Sequence, residues 1–324
     1  MSRFLLQRWY GRPGWLWLLW PLEVLYGWIV LFRRQLYLRA WRASRRLPVP
    51  VLVVGNISLG GTGKTPMVLA LIEHLRAQGW TPGVISRGYG GRQSLPTAVD
   101  GQSDPAQVGD EPVLLARRSA VPLFIGRDRV AAAEQLLRRH PQVDVLISDD
   151  GLQHYRLARD LEIVLYDGQR GLGNGHLLPV GPLREAPRRV HACVKVWTTI
   201  DPDFIAPSGY VMRLQALPPR RVRDDGECAL AAGSVVAAFA GIGHPQRFFS
   251  SLKTLGYALE EHPRPDHHVY TAADFAAIDK PVLMTEKDAV KCRTLAPEDS
   301  AYLPVTAALP LAFWQDVEQA LKRG

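Results

Sequence analysis

Val49-Pro50-Val51-Leu52-Val53-Val54-Gly55-Asn56-Ile57-Ser58-Leu59-Gly60-Gly61-Thr62-Gly63-Lys64-Thr65-Pro66 is the stretch that decides how the rest of the chain is read. The apolar, valine-rich run from Val49 to Val54 reads as a buried parallel strand. A glycine-rich turn follows, then a helical stretch from about Lys64 to Gln78 with Gly79 as its stop. Gly63-Lys64-Thr65 has the form of the end of a Walker A loop. Backbone amides over Gly60, Gly61, Thr62 and Gly63 would cradle phosphates, Lys64 would reach the β and γ oxygens of ATP, and the Thr65 hydroxyl would serve Mg²⁺. The strict spacing asks for glycine where Ser58 stands, but Gly60 and Gly61 keep the backbone bare close by.

Working outward, Val145 to Ser148 is an apolar strand that ends in Asp149-Asp150, the arrangement of a Walker B pair. One acid would order the Mg²⁺ shell, and the other would contact the metal or polarise its water. Short apolar runs at Val84-Ile85, Val121 to Ile125 and Leu161 to Tyr166 alternate with helical stretches such as Asp128 to Arg139. The pattern predicts a P-loop NTPase-type α/β fold, a doubly wound and mostly parallel sheet with ligands at the carboxyl ends of its strands. Residues 48–209 form this core. Residues 210–232 read as a β-hairpin linker around Asp224-Asp225-Gly226. Residues 233–324 read as a second, smaller α/β domain with strands at Val235 to Ala240 and Pro281 to Thr285 and a last helix from about Leu311 to Lys322.

The charge is unevenly placed. Residues 1–47 carry nine arginines and one acid, Glu23, whereas the remaining chain has 30 basic and 30 acidic residues. The net charge of +8 therefore belongs to the N-terminal segment, which also holds six of the nine tryptophans. A neutral body argues against nucleic acid as a partner. Trp and Arg flanking the 19-residue apolar stretch Gly14 to Phe32 are what a membrane interface selects. Pro21 and a central Glu23 favour a helix lying in the interface over one that spans. Cys193, Cys228 and Cys292 are far apart, which speaks against a zinc site and against a disulfide framework.

A P-loop alone does not name the reaction. Asp110, in Gly109-Asp110-Glu111-Pro112, is a candidate general base; an Asp at that place also makes a good N-cap, and the residues leave both readings open. His267 and His268 could orient such a carboxylate. A membrane-recruited switch ATPase is the alternative, although the place of its usual lysine before the glycine pair is taken by Leu59.

Taken together, the motifs resemble the tetraacyldisaccharide 4'-kinase family, the lipid A 4'-kinases of Gram-negative bacteria. The matching stretches are the phosphate loop, Ser86-Arg87-Gly88-Tyr89-Gly90, Gly109-Asp110-Glu111-Pro112, Asp149-Asp150-Gly151-Leu152-Gln153-His154 and Gly181-Pro182-Leu183-Arg184-Glu185. They continue with Ala240-Gly241-Ile242-Gly243, Arg247-Phe248-Phe249, Asp266-His267 and Leu283 through Lys291. The resemblance implies transfer of the ATP γ-phosphate to the 4'-hydroxyl of tetraacyldisaccharide 1-phosphate at the cytoplasmic face of the inner membrane. It implies Asp110 as base with His267 as its partner, Lys64 and Asp150 as further catalytic groups, and Thr65, Asp149 and Asp150 at the metal. Tyr89, Glu111, Gln153, Arg184 and Glu185 would line the acceptor site. The expected partners are the lipid precursor and the membrane surface, with no obligate protein partner. Where the family often has Asn after Ala-Gly-Ile-Gly, this chain has His244.

Overall fold

The structure, a computed structural model, describes residues 3–322 apart from 229 and 232. Two helices open the chain, α1 (Arg3–Trp9) and α2 (Trp20–Leu38), joined by a 3-10 turn over Gly14–Leu19. Next come β1 (Val51–Gly55), α3 (Lys64–Ala77), β2 (Pro82–Ser86), β3 (Thr97–Val99), α4 (Pro105–Val108) and α5 (Asp110–Ser119). They lead to β4 (Leu123–Ile125), α6 (Arg129–Arg139), β5 (Val145–Asp149), β6 (Leu161–Asp167), β7 (Val194–Thr199) and β8 (Tyr210–Ala216). The second half holds β9 (Arg220–Arg221), β10 (Val235–Ala240), α7 (Pro245–Thr254), β11 (Ala258–Pro263) and β12 (Val282–Thr285). It closes with α8 (Glu286–Cys292), β13 (Ala301–Leu303), β14 (Val305–Ala308) and α9 (Leu311–Lys322).

β1 is buried at every position, as a strand covered on both faces must be. It lies between β5 and β6 in a nine-stranded sheet of order β14-β8-β7-β6-β1-β5-β2-β4-β3. The pairings are parallel except at the two edges, where β3 and β14 run antiparallel to their neighbours. On one face α3 buries Met67, Val68, Leu71, Ile72 and Leu75, each worth about 1.5–3 kcal/mol of transfer free energy. On the other face Ile85, Phe124, Leu136 and Leu146 pack together. A second sheet of order β11-β10-β12-β13-β9 carries the smaller unit.

The structure corrects the expected boundaries in two places. Among the described residues of 210–232, an antiparallel bridge joins Arg220 to Glu227 around the expected turn, but β8 is not an arm of a linker hairpin. β8 joins the large sheet, parallel to β7 and antiparallel to β14, because Met212 is a core residue with Tyr210 and Leu214 packed against the same core. Among the described residues of this stretch, only β9 crosses to the small sheet, where it pairs with β13. The turn itself was legible: Asp225 has φ 61° and the Asp224 carboxylate accepts from the Gly226 amide at 2.9 Å. The second correction concerns the C-terminus. β14 and α9 return to the large sheet, where Phe313, Val317 and Leu321 enter the core with Met67 and Leu71.

The segment Gly14–Leu38 is long and apolar enough to cross a bilayer by length and composition, yet one side of α2 lies along the body. Glu23 accepts from the Leu177 amide at 2.7 Å and faces His176 Nδ1 at 3.1 Å. Tyr26 donates to the Arg184 carbonyl at 2.9 Å, and Arg33 to the Gln153 carbonyl at 2.9 Å. These residues share one helical stripe, and Leu22, Leu25, Ile29 and Phe32 form the exposed stripe on the other side. The central carboxylate therefore belongs to the protein-facing side.

Candidate active site

The phosphate loop lies at the carboxyl edge of the large sheet and runs into the N-terminus of α3, where unpaired amides and the helix dipole favour an anion. Gly63 has φ 85°, and a Cβ there would come within 2.8 Å of Thr198 Cγ2 and 3.0 Å of Met212 Cε. Only glycine lets the loop settle on that floor. Thr198 Oγ1 donates to the Thr62 carbonyl at 2.7 Å, while the Thr62 hydroxyl is buried without a hydrogen-bond partner among the described residues. Such an orphaned polar atom beside an anion cradle fits a loop shaped for a ligand.

Lys64 Nζ stands 3.5 Å from Asn56 Oδ1 and 3.9 Å from Asp150 Oδ1. Arg184 donates to both Asp150 oxygens, at 3.1 and 3.2 Å. Asp150 is held below the usual carboxylate range: burial opposes this, but Lys64 and Arg184 outweigh it. Its neighbour Asp149 accepts from Ser86 Oγ at 3.0 Å. Burial, aided by the nearby Glu111 charge, pushes the Asp149 carboxyl up to about 7. Asp150 also has φ 47°, a left-handed conformation that costs a non-glycine residue about 1–3 kcal/mol and is typical of functional turns. Asp149 and Asp150, with the Thr65 hydroxyl at the start of α3, are of the all-oxygen donor chemistry that a hard divalent cation takes.

Asp110 begins α5 after Gly109, which holds the N-cap position. The carboxylate meets His267 Nδ1 at 3.1 Å from both of its oxygens, and Lys291 Nζ at 3.8 Å. Its Oδ1 also accepts from the adjacent Glu111 amide at 2.9 Å, which is not the amide a cap would serve. Burial raises the Asp110 carboxyl, but the His267 hydrogen bond and the Lys287 charge leave it below its ordinary value. His268 faces Asp274 instead, at 3.3 Å, so the histidine doublet resolves in favour of His267. Tyr89 places its ring 5.1 Å from that of His267.

The expected site residues do not all converge. Glu111 is gripped by Lys287 Nζ at 2.8 Å, and Gln153 Nε2 donates to the Asn56 carbonyl at 3.3 Å. Glu111 stands beside Asp110 and Gln153 beside the loop. Glu185 instead lies under α2, where it accepts from Tyr155 OH at 2.8 Å and pairs with Arg189 Nε at 3.2 Å. It lines an apolar groove with Val24, Gly27, Trp28 and Leu31.

The second unit closes over the first. A Cβ on Gly243 would sit 2.6 Å from the Gly61 amide nitrogen, so the two glycine loops touch backbone to backbone. Arg170 donates to the Gly243 carbonyl at 2.8 Å, and the buried Asp167 carboxylate accepts from Arg247 and meets His244 Nδ1 at 3.1 Å.

A sequence profile of the family described as "Tetraacyldisaccharide-1-P 4'-kinase" matches residues 15–322. A curated tetraacyldisaccharide 4'-kinase of Methylobacillus flagellatus is 48% identical over 326 residues, 99% of this chain and 97% of that protein. One from Pseudomonas aeruginosa is 50% identical over 97% of this chain and 96% of that protein. Among solved structures, LpxK from Aquifex aeolicus, described as an "apo" form in complex with ATP, superposes with a TM-score of 0.79 at 28% identity. The match covers 95% of this chain and 98% of that one. The chain belongs to the tetraacyldisaccharide 4'-kinase family.

Within this member of the tetraacyldisaccharide 4'-kinase family, four residues at the site carried no assigned role from sequence: Lys287, Lys291, Asp167 and Arg247. The two lysines are four apart on α8 and share a face, which was a readable signal. Asp167 gave none, because its partners lie 77 and 80 residues further along.

Proposed function

We propose that the cleft between the two sheets is where the γ-phosphate of ATP passes to the 4'-hydroxyl of tetraacyldisaccharide 1-phosphate, the reaction of this kinase family. The observation that carries the assignment is the Asp110–His267 pair, one residue from each unit, meeting at 3.1 Å beside a Walker A loop. Lys64 and the amides of Gly60 to Thr65 bind the nucleotide phosphates and hold the γ-phosphoryl in line with the acceptor. Asp110 accepts the proton of the acceptor hydroxyl. His267 orients that carboxylate, and Arg184 anchors Asp150. A divalent cation held by Thr65, Asp149 and Asp150 would neutralise charge building on the transferring group. Tyr89, Glu111 and Gln153 border the space left for the sugar, whereas Glu185 supports the groove beneath α2.

The acceptor is amphiphilic, so its acyl chains stay in lipid while its sugar must reach the loop. Leu22, Leu25, Ile29 and Phe32 on the free face of α2 settle into the cytoplasmic leaflet of the inner membrane, and the N-terminal arginines meet anionic headgroups. Purified enzyme incubated with γ-labelled ATP, Mg²⁺ and tetraacyldisaccharide 1-phosphate in micelles should place label in the lipid. ATP hydrolysis without labelled lipid would overturn the acceptor assignment.

A further inference from the structure

Lys287 stands in the first turn of α8, on a rigid footing. Thr285 Oγ1 accepts from the Asp288 amide, and the fully buried Asp288 carboxylate accepts from the Gly241 amide at 2.7 Å. From there the ammonium reaches three groups: Glu111 Oε1 at 2.8 Å, Asp266 Oδ1 at 3.0 Å and His267 Nε2 at 3.5 Å. Glu111 follows Asp110 in sequence and Asp266 precedes His267. One cation thus ties the chain neighbours of both members of the pair, across the seam between the two units.

An ammonium has three donors and no acceptor, and a neutral imidazole has one of each. Nε2 facing Lys287 is therefore the acceptor nitrogen, and the ring proton sits on Nδ1. Nδ1 in turn faces Asp110, where an N–H finds two carboxylate oxygens at 3.1 Å. The other tautomer would set two donors against each other at Nε2 and two lone-pair faces against each other at Asp110. His267 holds φ 60°, so its ring is presented by a backbone that few residues adopt. The remaining groups on this pocket are Asp266 Oδ1, 3.8 Å from Nε2, the Tyr89 ring, and Lys291, which is tied to Asp288 and to the His268 carbonyl. Burial alone would lower the Lys287 ammonium, but Glu111, Asp110 and Asp266 more than offset it, so the donor persists.

We infer that Lys287 is a positioning residue for phosphoryl transfer, donating to Nε2 of His267 and so fixing the tautomer whose Nδ1–H points Asp110 at the acceptor hydroxyl. The inference rests on Asp110 being the base. It gives the lysine a role distinct from charge neutralisation of the nucleotide.

The test uses full-length enzyme in micelles, with ¹⁵N-labelled histidine and His267→Gln to assign the ring signals. Wild type should show Nδ1 protonated and Nε2 bare, a reading that needs no variant to fold; an Nε2–H signature would overturn the inference. Lys287→Met should scramble that signature. It should also lower kcat at least ~30-fold, short of the ~10⁴ of a wholly wrong tautomer in a triad, with KM for ATP within about two-fold. The acid limb of kcat should move to higher pH, since both Asp110 and His267 lose a nearby cation. Lys287→Arg, which keeps a donor, should recover most of kcat. Unchanged kcat and limb in Lys287→Met would refute the role. Wild-type kcat in Asp110→Asn would remove the base assignment, and the tautomer spectrum would still report on Lys287 separately.

Discussion

Replacing Trp28 and Phe32 together by alanine should release the enzyme from lipid without harming the chemistry. They are 67% and 60% exposed, Phe32 on the free face of α2 and Trp28 at the rim of the groove it shares with Glu185, and neither enters a core cluster. Aromatic side chains bury about 150–250 Å² each, so the exposed fractions leave roughly 250 Å² for the pair to place in lipid. At about 25 cal/mol per Å² that is about 6 kcal/mol. Alanine keeps roughly a third of it, so the double variant loses about 4 kcal/mol, on the order of 10³-fold in partitioning. Co-sedimentation with anionic vesicles measures the loss directly, and kcat on micellar acceptor serves as the control. The expected result is a large drop in vesicle binding with micellar kcat within about two-fold. Vesicle binding equal to wild type would refute the assignment of this face to the membrane.

Three further perturbations follow from the site. Lys64→Ala should lower kcat by at least ~10³-fold, because it removes a preorganised charge from the phosphate loop; a variant keeping a tenth of wild-type turnover in steady-state assays would contradict this. Gly243→Ala must push apart the backbones that touch at Gly61, and a shift of this kind can cost about 10²-fold in kcat/KM; unchanged nucleotide kinetics would show that the loops separate during turnover. Asp167→Asn leaves Arg247 buried without its partner and should cost about 3–5 kcal/mol in thermal or urea unfolding. Burial would raise the Asp167 carboxyl, but His244 and Arg247 hold it at about 2. Its contribution is therefore present above the ordinary carboxylate range and lost as pH falls through about 2, so the gap between wild type and variant should narrow on acidification.

Much of this was legible because local chemistry and tertiary role coincide. The phosphate loop, the Asp149-Asp150 pair and the strands around them declare themselves by glycine placement and continuous burial. The edges did not. β8 has the short alternation of a hairpin arm, and nothing local says that its partner is β14, about ninety residues on. The pairing is set by a large sheet that needs its edge covered. Glu23 illustrates the same limit. Read along the sequence it is a charge inside an apolar run, and only the fold shows that it faces His176 and the Leu177 amide. Asp110 was ambiguous for a different reason. Capping and catalysis favour the same residue at the same place, and what favours the catalytic reading is the contact with His267, 157 residues away.

The most direct test of the central claim is single-turnover phosphoryl transfer by Asp110→Asn, with ATP affinity measured on the same sample. The account predicts transfer to the lipid slowed by at least ~10²-fold, the range of a lost general base, at unchanged ATP affinity. Transfer at the wild-type rate, or a loss explained wholly by weaker ATP binding, would contradict it.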